Sequence, residues 1–126
     1  MVSGDEARSL MEQALNREDL VQPTIYRRFY EMEALARAGL GDRYLDQLGI
    51  WKEMLRAGVT TWPETGLESR SECHGWGASP NYHLYEIVAG IRPAAPGYGR
   101  VEIAPHLGAL EGVQVTLPPS GRADSG

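Results

Sequence analysis

The segment from Ser79 to Ala89 carries Tyr82, Leu84, Tyr85, Ile87, Val88 and Ala89. Wound as a helix, with Ser79 as cap and Pro80 at the first helical position, it points these side chains almost all round the cylinder. A helix apolar on nearly every side must be covered by neighbours, so it belongs inside something large. No other feature constrains the fold as strongly. A chain of 126 residues has material for one domain with a real core.

Three helices are expected before it. Ser3-Gly4-Asp5-Glu6 reads as a capping box, and Leu10, Met11, Ala14 and Leu15 repeat at helical spacing to about Asn16. Thr24 is placed to cap a second helix after Pro23, with Ile25, Phe29, Met32 and Ala36 as its stripe and Glu33 one turn from Arg37. Gly39 and Gly41 bracket its end. Asp42 is expected to cap a third helix to about Arg56, with Gly58 as its left-handed terminator. On that helix Tyr44, Leu48, Trp51 and Leu55 form one tight face, while Ile50 and Met54 sit well round the cylinder. Two apolar faces imply contacts on two sides.

After Gly90 the period changes. Arg92-Pro93-Ala94-Ala95-Pro96-Gly97 is a breaker cluster. Val101 and Ile103 then alternate with Glu102, and Val113, Val115 and Leu117 with Gln114 and Thr116, so both segments are expected to be strands. Two strands are too few for an independent sheet. The small, polar residues 120–126 are expected to be a disordered tail. The chain therefore reads as the end of a helical body followed by the beginning of a β one.

A formal net charge of −5, with Lys52 the only lysine and the arginines scattered, argues against a nucleic-acid surface or an anionic membrane partner. No apolar run approaches the ~20 residues of a membrane span, and the first residues do not resemble a signal peptide. A cytoplasmic location is the default expectation, unless an upstream region carries a signal. Cys73 is the single cysteine, so an intramolecular disulfide is excluded.

Chemistry concentrates in the stretch 57–79, expected to be a long loop. A compact domain keeps such a loop mainly where it binds or catalyses something. Glu64 follows Trp62-Pro63, and a carboxylate beside an indole is expected to be desolvated and raised in pKa toward general acid–base use; the competing reading is a solvated loop glutamate. Glu68 and Glu72 lack an adjacent aromatic. His74 can donate to a hydroxyl or serve the core. Trp62 and Trp76 offer flat faces suited to the C–H face of a sugar, or fill the core. Cys73 beside His74 does not make a dyad, because neighbouring residues on extended chain point apart. Cys73, His74, His83 and His106 lack the paired-cysteine or HExxH spacing of a zinc site. Pro96-Gly97-Tyr98-Gly99 lacks the strand-to-helix context of a phosphate loop.

These motifs match a known pattern. Gly58-Val59-Thr60-Thr61-Trp62-Pro63-Glu64, Ser71-Glu72-Cys73-His74-Gly75-Trp76, Ala89-Gly90-Ile91-Arg92-Pro93 and Pro96-Gly97-Tyr98, in this order, resemble the C-terminal part of bacterial α-L-rhamnosidases. Phe29-Tyr30-Glu31-Met32-Glu33-Ala34-Leu35 and Trp51-Lys52-Glu53-Met54-Leu55 fit the preceding helices, and Val101-Glu102-Ile103-Ala104-Pro105 the start of that family's C-terminal β-sandwich. The resemblance implies a mainly α fold, part of an (α/α)6 six-hairpin toroid of which four helices are present. Residues 1–91 would be the end of the helical catalytic domain and 92–119 the start of a β-sandwich.

By position the resemblance makes Glu64 the general base that activates water, His74 a sugar contact, and Trp62 and Trp76 walls of the pocket. The implied partner is a carbohydrate ending in α-L-rhamnose or a similar sugar, with no cofactor and no metal. The family pattern is commonly TTWE, and Pro63 is a departure that bears on the rotamer of Glu64. Inversion needs a second carboxylic acid ~6.5–9.5 Å across the scissile bond, and no aspartate or glutamate of residues 1–56 stands in that acid's motif. The expectation is a fragment inactive alone. The alternative, of another class, is a non-catalytic carbohydrate-binding or structural fragment whose apolar helix faces pair with a copy of itself or a complementary chain; a gene fragment without a role of its own is a third.

Overall fold

A computed structural model describes residues 4–117. It is mainly helical, with helices α1 (Gly4–Leu15), α2 (Ile25–Arg37), α3 (Gly49–Arg56) and α4 (Ser79–His83), and short strands β1 (Ile91–Pro93) and β2 (Val101–Ile103). No helix of the described residues is long and apolar enough to cross a membrane.

Helix α1 lies on the surface; only Met11 and Leu15 pack against the core. A polar bond adds to this apolar contact, with Arg8 donating to the carbonyl of Gly39 at 2.7 Å. Ser3, the first half of the expected capping box, lies outside the described residues. Helix α2 buries Ile25, Met32 and Leu35, and Glu33 stands 3.8 Å from Arg37 as its spacing predicts. Thr24 occupies the N-cap with extended backbone, yet its hydroxyl makes no capping bond.

The third helix is not the single element expected from Asp42 to Arg56. Residues Gly41–Leu48 wind as a 3-10 helix and α3 follows from Gly49. Asp42 does not cap it, because its Oδ1 accepts the backbone N–H of Gly108 at 3.2 Å, from a distant part of the chain. Contacts do fall on two sides, but not along the expected faces, since Trp51 packs with Met54 and Ile50 and not with Tyr44. Tyr44 joins Met32, Leu35, Ala38, Leu40, Ile87 and Val88 in one core cluster, while Trp51 and Met54 form a second with Ile25; Leu48 touches both. Leu55, placed on the tight face by spacing, is 62% exposed. Gly58 takes the left-handed conformation expected of a terminator, with φ of +77°.

Ser79 does not cap helix α4: the 3-10 turn Gly75–Ala78 runs straight into it, so Ser79 is already helical, Ala78 takes the cap position and no side chain bonds there. Helix α4 is short and continues into a π-helical turn, Leu84–Val88, in which Ala89 N–H donates back to the Leu84 carbonyl at 2.9 Å. Ile87, Val88 and Ala89 are buried, but Tyr82, Leu84 and Tyr85 are exposed, so the all-round apolar helix is covered on one side only. The chain then doubles back. Gly90 has φ of +66°, and a Cβ there would come within 1.9 Å of the Ala104 carbonyl oxygen, so only glycine fits. Its carbonyl accepts the N–H of Ala104 at 2.9 Å, and His106 N–H reaches the carbonyls of Ile87 and Val88 at 3.2 and 3.1 Å. The returning chain thus satisfies acceptors that a helix end leaves open. Between these contacts β1 and β2 pair antiparallel, Ile91 opposite Ile103.

The strand expected at 113–117 is not formed. Alternation alone does not make a strand: its N–H and C=O groups need a ladder partner, and β1 and β2 pair only with each other.

Candidate functional site

The stretch 57–79 is irregular in outline but closes on itself as a hairpin. Trp62 carbonyl accepts His74 N–H at 2.8 Å, and Glu64 N–H donates to the Ser71 carbonyl at 2.9 Å. The Thr61 hydroxyl donates to the Glu72 carbonyl between them. Ser69 organises the tip: its hydroxyl accepts from the N–H groups of Glu64 (3.1 Å) and Thr65 (3.3 Å) and donates to Ser71 carbonyl at 3.0 Å.

This register turns the Glu64 carboxylate toward Arg70, whose Nε donates to Oε2 at 2.8 Å and Nη2 to Oε1 at 3.1 Å. The bidentate bond holds the Glu64 carboxyl below its ordinary range, against a small opposing effect of burial and with a further contribution from charge on His74. The sequence led to the opposite expectation, a carboxyl raised by the neighbouring indole. The reason is that Trp62 packs against the Ile25–Trp51–Met54 cluster, and two charge-assisted bonds outweigh partial burial.

Gly77 anchors the hairpin to the body. A Cβ on it would stand 2.3 Å from Cβ of Trp62, and its carbonyl accepts the indole N–H of Trp51 at 2.8 Å in a buried bond. The close approach needs glycine, and it sets where the following helix α4 begins.

The predicted site residues separate into two groups. Trp76 is 41% exposed; its ring lies 4.3 Å from that of His74 and edge-on to Tyr26 at 5.8 Å. Around it opens a cleft of about 280 Å³ lined by Tyr26, Phe29, Tyr30, Gly75, Trp76, Ala78 and Ser79. The Nε2 of His74 is buried and without a hydrogen-bond partner. Trp62, by contrast, is core-packed and absent from this lining, and Glu64 sits on the hairpin beside Arg70. A second cleft of about 230 Å³ is formed largely by the hairpin, with Thr60, Thr61, Pro63 and Glu72 among its walls. Cys73 is an exposed free thiol.

Two sets of residues escaped the sequence reading. Tyr26 and Tyr30, one turn apart on α2, form the cleft's opposite wall with hydroxyls 3.4 Å apart; their i, i+4 spacing was a usable signal. Glu33, His83 and Glu86 bring three metal-ligating atoms together inside the helical body. The His83-x-x-Glu86 spacing pointed to half of that cluster, but not to Glu33. No protein family and no curated protein matches this sequence, so the resemblance to α-L-rhamnosidases stands on its motifs.

Proposed function

We propose that this chain supplies one wall of a sugar site in an α-L-rhamnosidase-like inverting glycoside hydrolase, as the C-terminal part of its six-hairpin toroid and the start of the following β domain. The observation that carries this reading is the open aromatic cleft of Tyr26, Tyr30 and Trp76; His74 does not line it, but packs its ring against Trp76 with Nε2 buried. Flat indole and phenol faces suit the C–H face of a hexose, and a direct bond from His74 to a hydroxyl would require its buried Nε2 to be uncovered first. Glu64 is the water-activating base. Arg70 keeps it ionised, as a base must be, but also makes it a weaker proton acceptor, while each carboxylate oxygen keeps a further lone pair for water. The general acid comes from outside this chain, so the chain alone does not turn over.

The test is a titration of the chain with L-rhamnose, followed by NMR, together with an aryl α-L-rhamnoside assay. The expected result is a shift of the Trp76 indole and His74 imidazole resonances, lost in Trp76→Ala, with no hydrolysis. Absence of any perturbation at millimolar sugar, or robust hydrolysis by the chain alone, overturns the reading.

The Arg70 clamp also favours a second reading, a non-catalytic carbohydrate-binding or structural module. There the exposed Tyr82, Leu84 and Tyr85 pair with a second copy or a complementary chain, which light scattering would register. Sugar binding that survives Glu64→Gln, in an assembly without hydrolase activity, selects it.

A further inference from the structure

Glu33 of α2 and His83 and Glu86 of the last helical segment converge in the interior, with one ligand atom from each lying within 4.8 Å of the others. His83 is 1% exposed, and its Nε2 has no hydrogen-bond partner. It points at Oε1 of Glu33 from 3.4 Å. Each carboxylate has one oxygen turned to an arginine, Glu33 Oε2 toward Arg37 at 3.8 Å and Glu86 Oε1 toward Arg92 at 3.6 Å. The other two oxygens, Glu33 Oε1 and Glu86 Oε2, are buried and unpartnered. One ligand atom of each residue therefore lies close to the others, with the Tyr82 hydroxyl also beside Glu86.

We propose that Glu33, His83 and Glu86 hold a single divalent first-row transition-metal ion of the zinc or cobalt class. An imidazole nitrogen with carboxylate oxygens is a donor set such ions accept. Two ligand atoms each ~2.1 Å from a tetrahedral ion lie about 3.4 Å apart, the separation of His83 Nε2 and Glu33 Oε1. Arg37 and Arg92 stand near the outer oxygens at charge-pair distances, without hydrogen-bonding them. The rings of Phe29, Tyr82 and Tyr44, with centroids 5.0, 5.3 and 5.7 Å from that of His83, hold the imidazole. Glu86 lies on the π turn, a distortion that recurs at functional sites. Without a cation, burial and the neighbouring Glu86 push the Glu33 carboxyl up, and burial pushes His83 down; a proton shared by the two carboxyls is thus the rival occupant. The ion ties α2 to the last helical segment, and the assignment does not depend on the sugar site.

The whole chain, stripped with a chelator, is titrated with Co²⁺ and then Zn²⁺. The expected result is one Co²⁺ per chain, displaced by Zn²⁺, with paramagnetic shifts at the His83 imidazole and none at His74 or His106. Zn²⁺ raises Tm, and Glu33→Gln and Glu86→Gln each weaken binding by more than the roughly 10–100-fold that loss of a supporting partner causes. If either variant fails to fold, the imidazole shifts of the unaltered chain decide. No binding of either ion at micromolar concentration, or binding centred on His74 or on His106 and Asp42, overturns the assignment and leaves the shared proton.

Discussion

Arg70 closes on Glu64 with both faces of its guanidinium fork, at 2.8 and 3.1 Å, across the tip of a hairpin that Ser69 holds in register. A carboxylate held this way is permanently ionised near neutrality and geometrically fixed, but it is not free. Whatever Glu64 does with water or sugar, it does in competition with Arg70.

That relationship sets the acid behaviour of the hairpin. The folded carboxyl is depressed below 4.5 by Arg70. Its contribution to stability is therefore present above the unfolded value and lost as pH falls through the folded one. A carboxyl-detected NMR titration should place Glu64 below 4.5 in the parent chain and move it upward in Arg70→Ala. Arg70 is 85% exposed, so added salt should shrink the difference. Identical midpoints in the two chains would show that the pair does not form.

The buried bond from Trp51 to Gly77 ties α3 to the hairpin. Trp51→Phe retains an aromatic body but removes the only donor, leaving a buried carbonyl unsatisfied. The expected loss is about 1–3 kcal/mol in denaturant unfolding, with faster amide exchange in the hairpin than in α2. A neutral substitution would mean that the carbonyl finds water instead.

Trp76→Ala separates binding from folding. Its ring lies against His74 and Tyr26 at the edge of the cleft, and it belongs to neither core cluster. Stability should fall by less than the roughly 3–5 kcal/mol that truncating a fully buried tryptophan costs, while sugar-induced shifts in Tyr26 and Tyr30 disappear. Equal shifts in the parent and the variant would remove Trp76 from the site.

Gly90→Ala asks whether the return of the chain is as tight as its geometry. The new Cβ meets the Ala104 carbonyl in a left-handed backbone. Strain and overpacking together should cost about 2–4 kcal/mol, read as a lower denaturant midpoint. The β1–β2 pair and the His106 bonds to the helix end should be lost first, visible as exposed amides at Ala104 and His106.

Local pattern carried most of the helices. The stripe of α2, the pairing of Glu33 with Arg37 and the stop at Gly58 all depend on residues within a turn or two of each other. The failures are non-local. Asp42 had the right place for a cap, and lost the role because Gly108 arrives to take its carboxylate. Residues 113–117 alternate correctly and still form no strand, since alternation describes one chain and a ladder needs two.

The candidate site divides the same way. Residue order is enough to show that the stretch between α3 and α4 is rich in chemistry, and that Glu64, His74, Trp62 and Trp76 lie within it. Tertiary structure alone decided their fates: Trp62 packs into the core, Trp76 opens to a cleft built with Tyr26 and Tyr30, and Glu64 is claimed by Arg70. It alone brought Glu33 to His83 and Glu86. The physical reason is common to all of these. A side chain's identity is local, but its charge state, exposure and partners depend on groups that folding delivers from elsewhere in the chain.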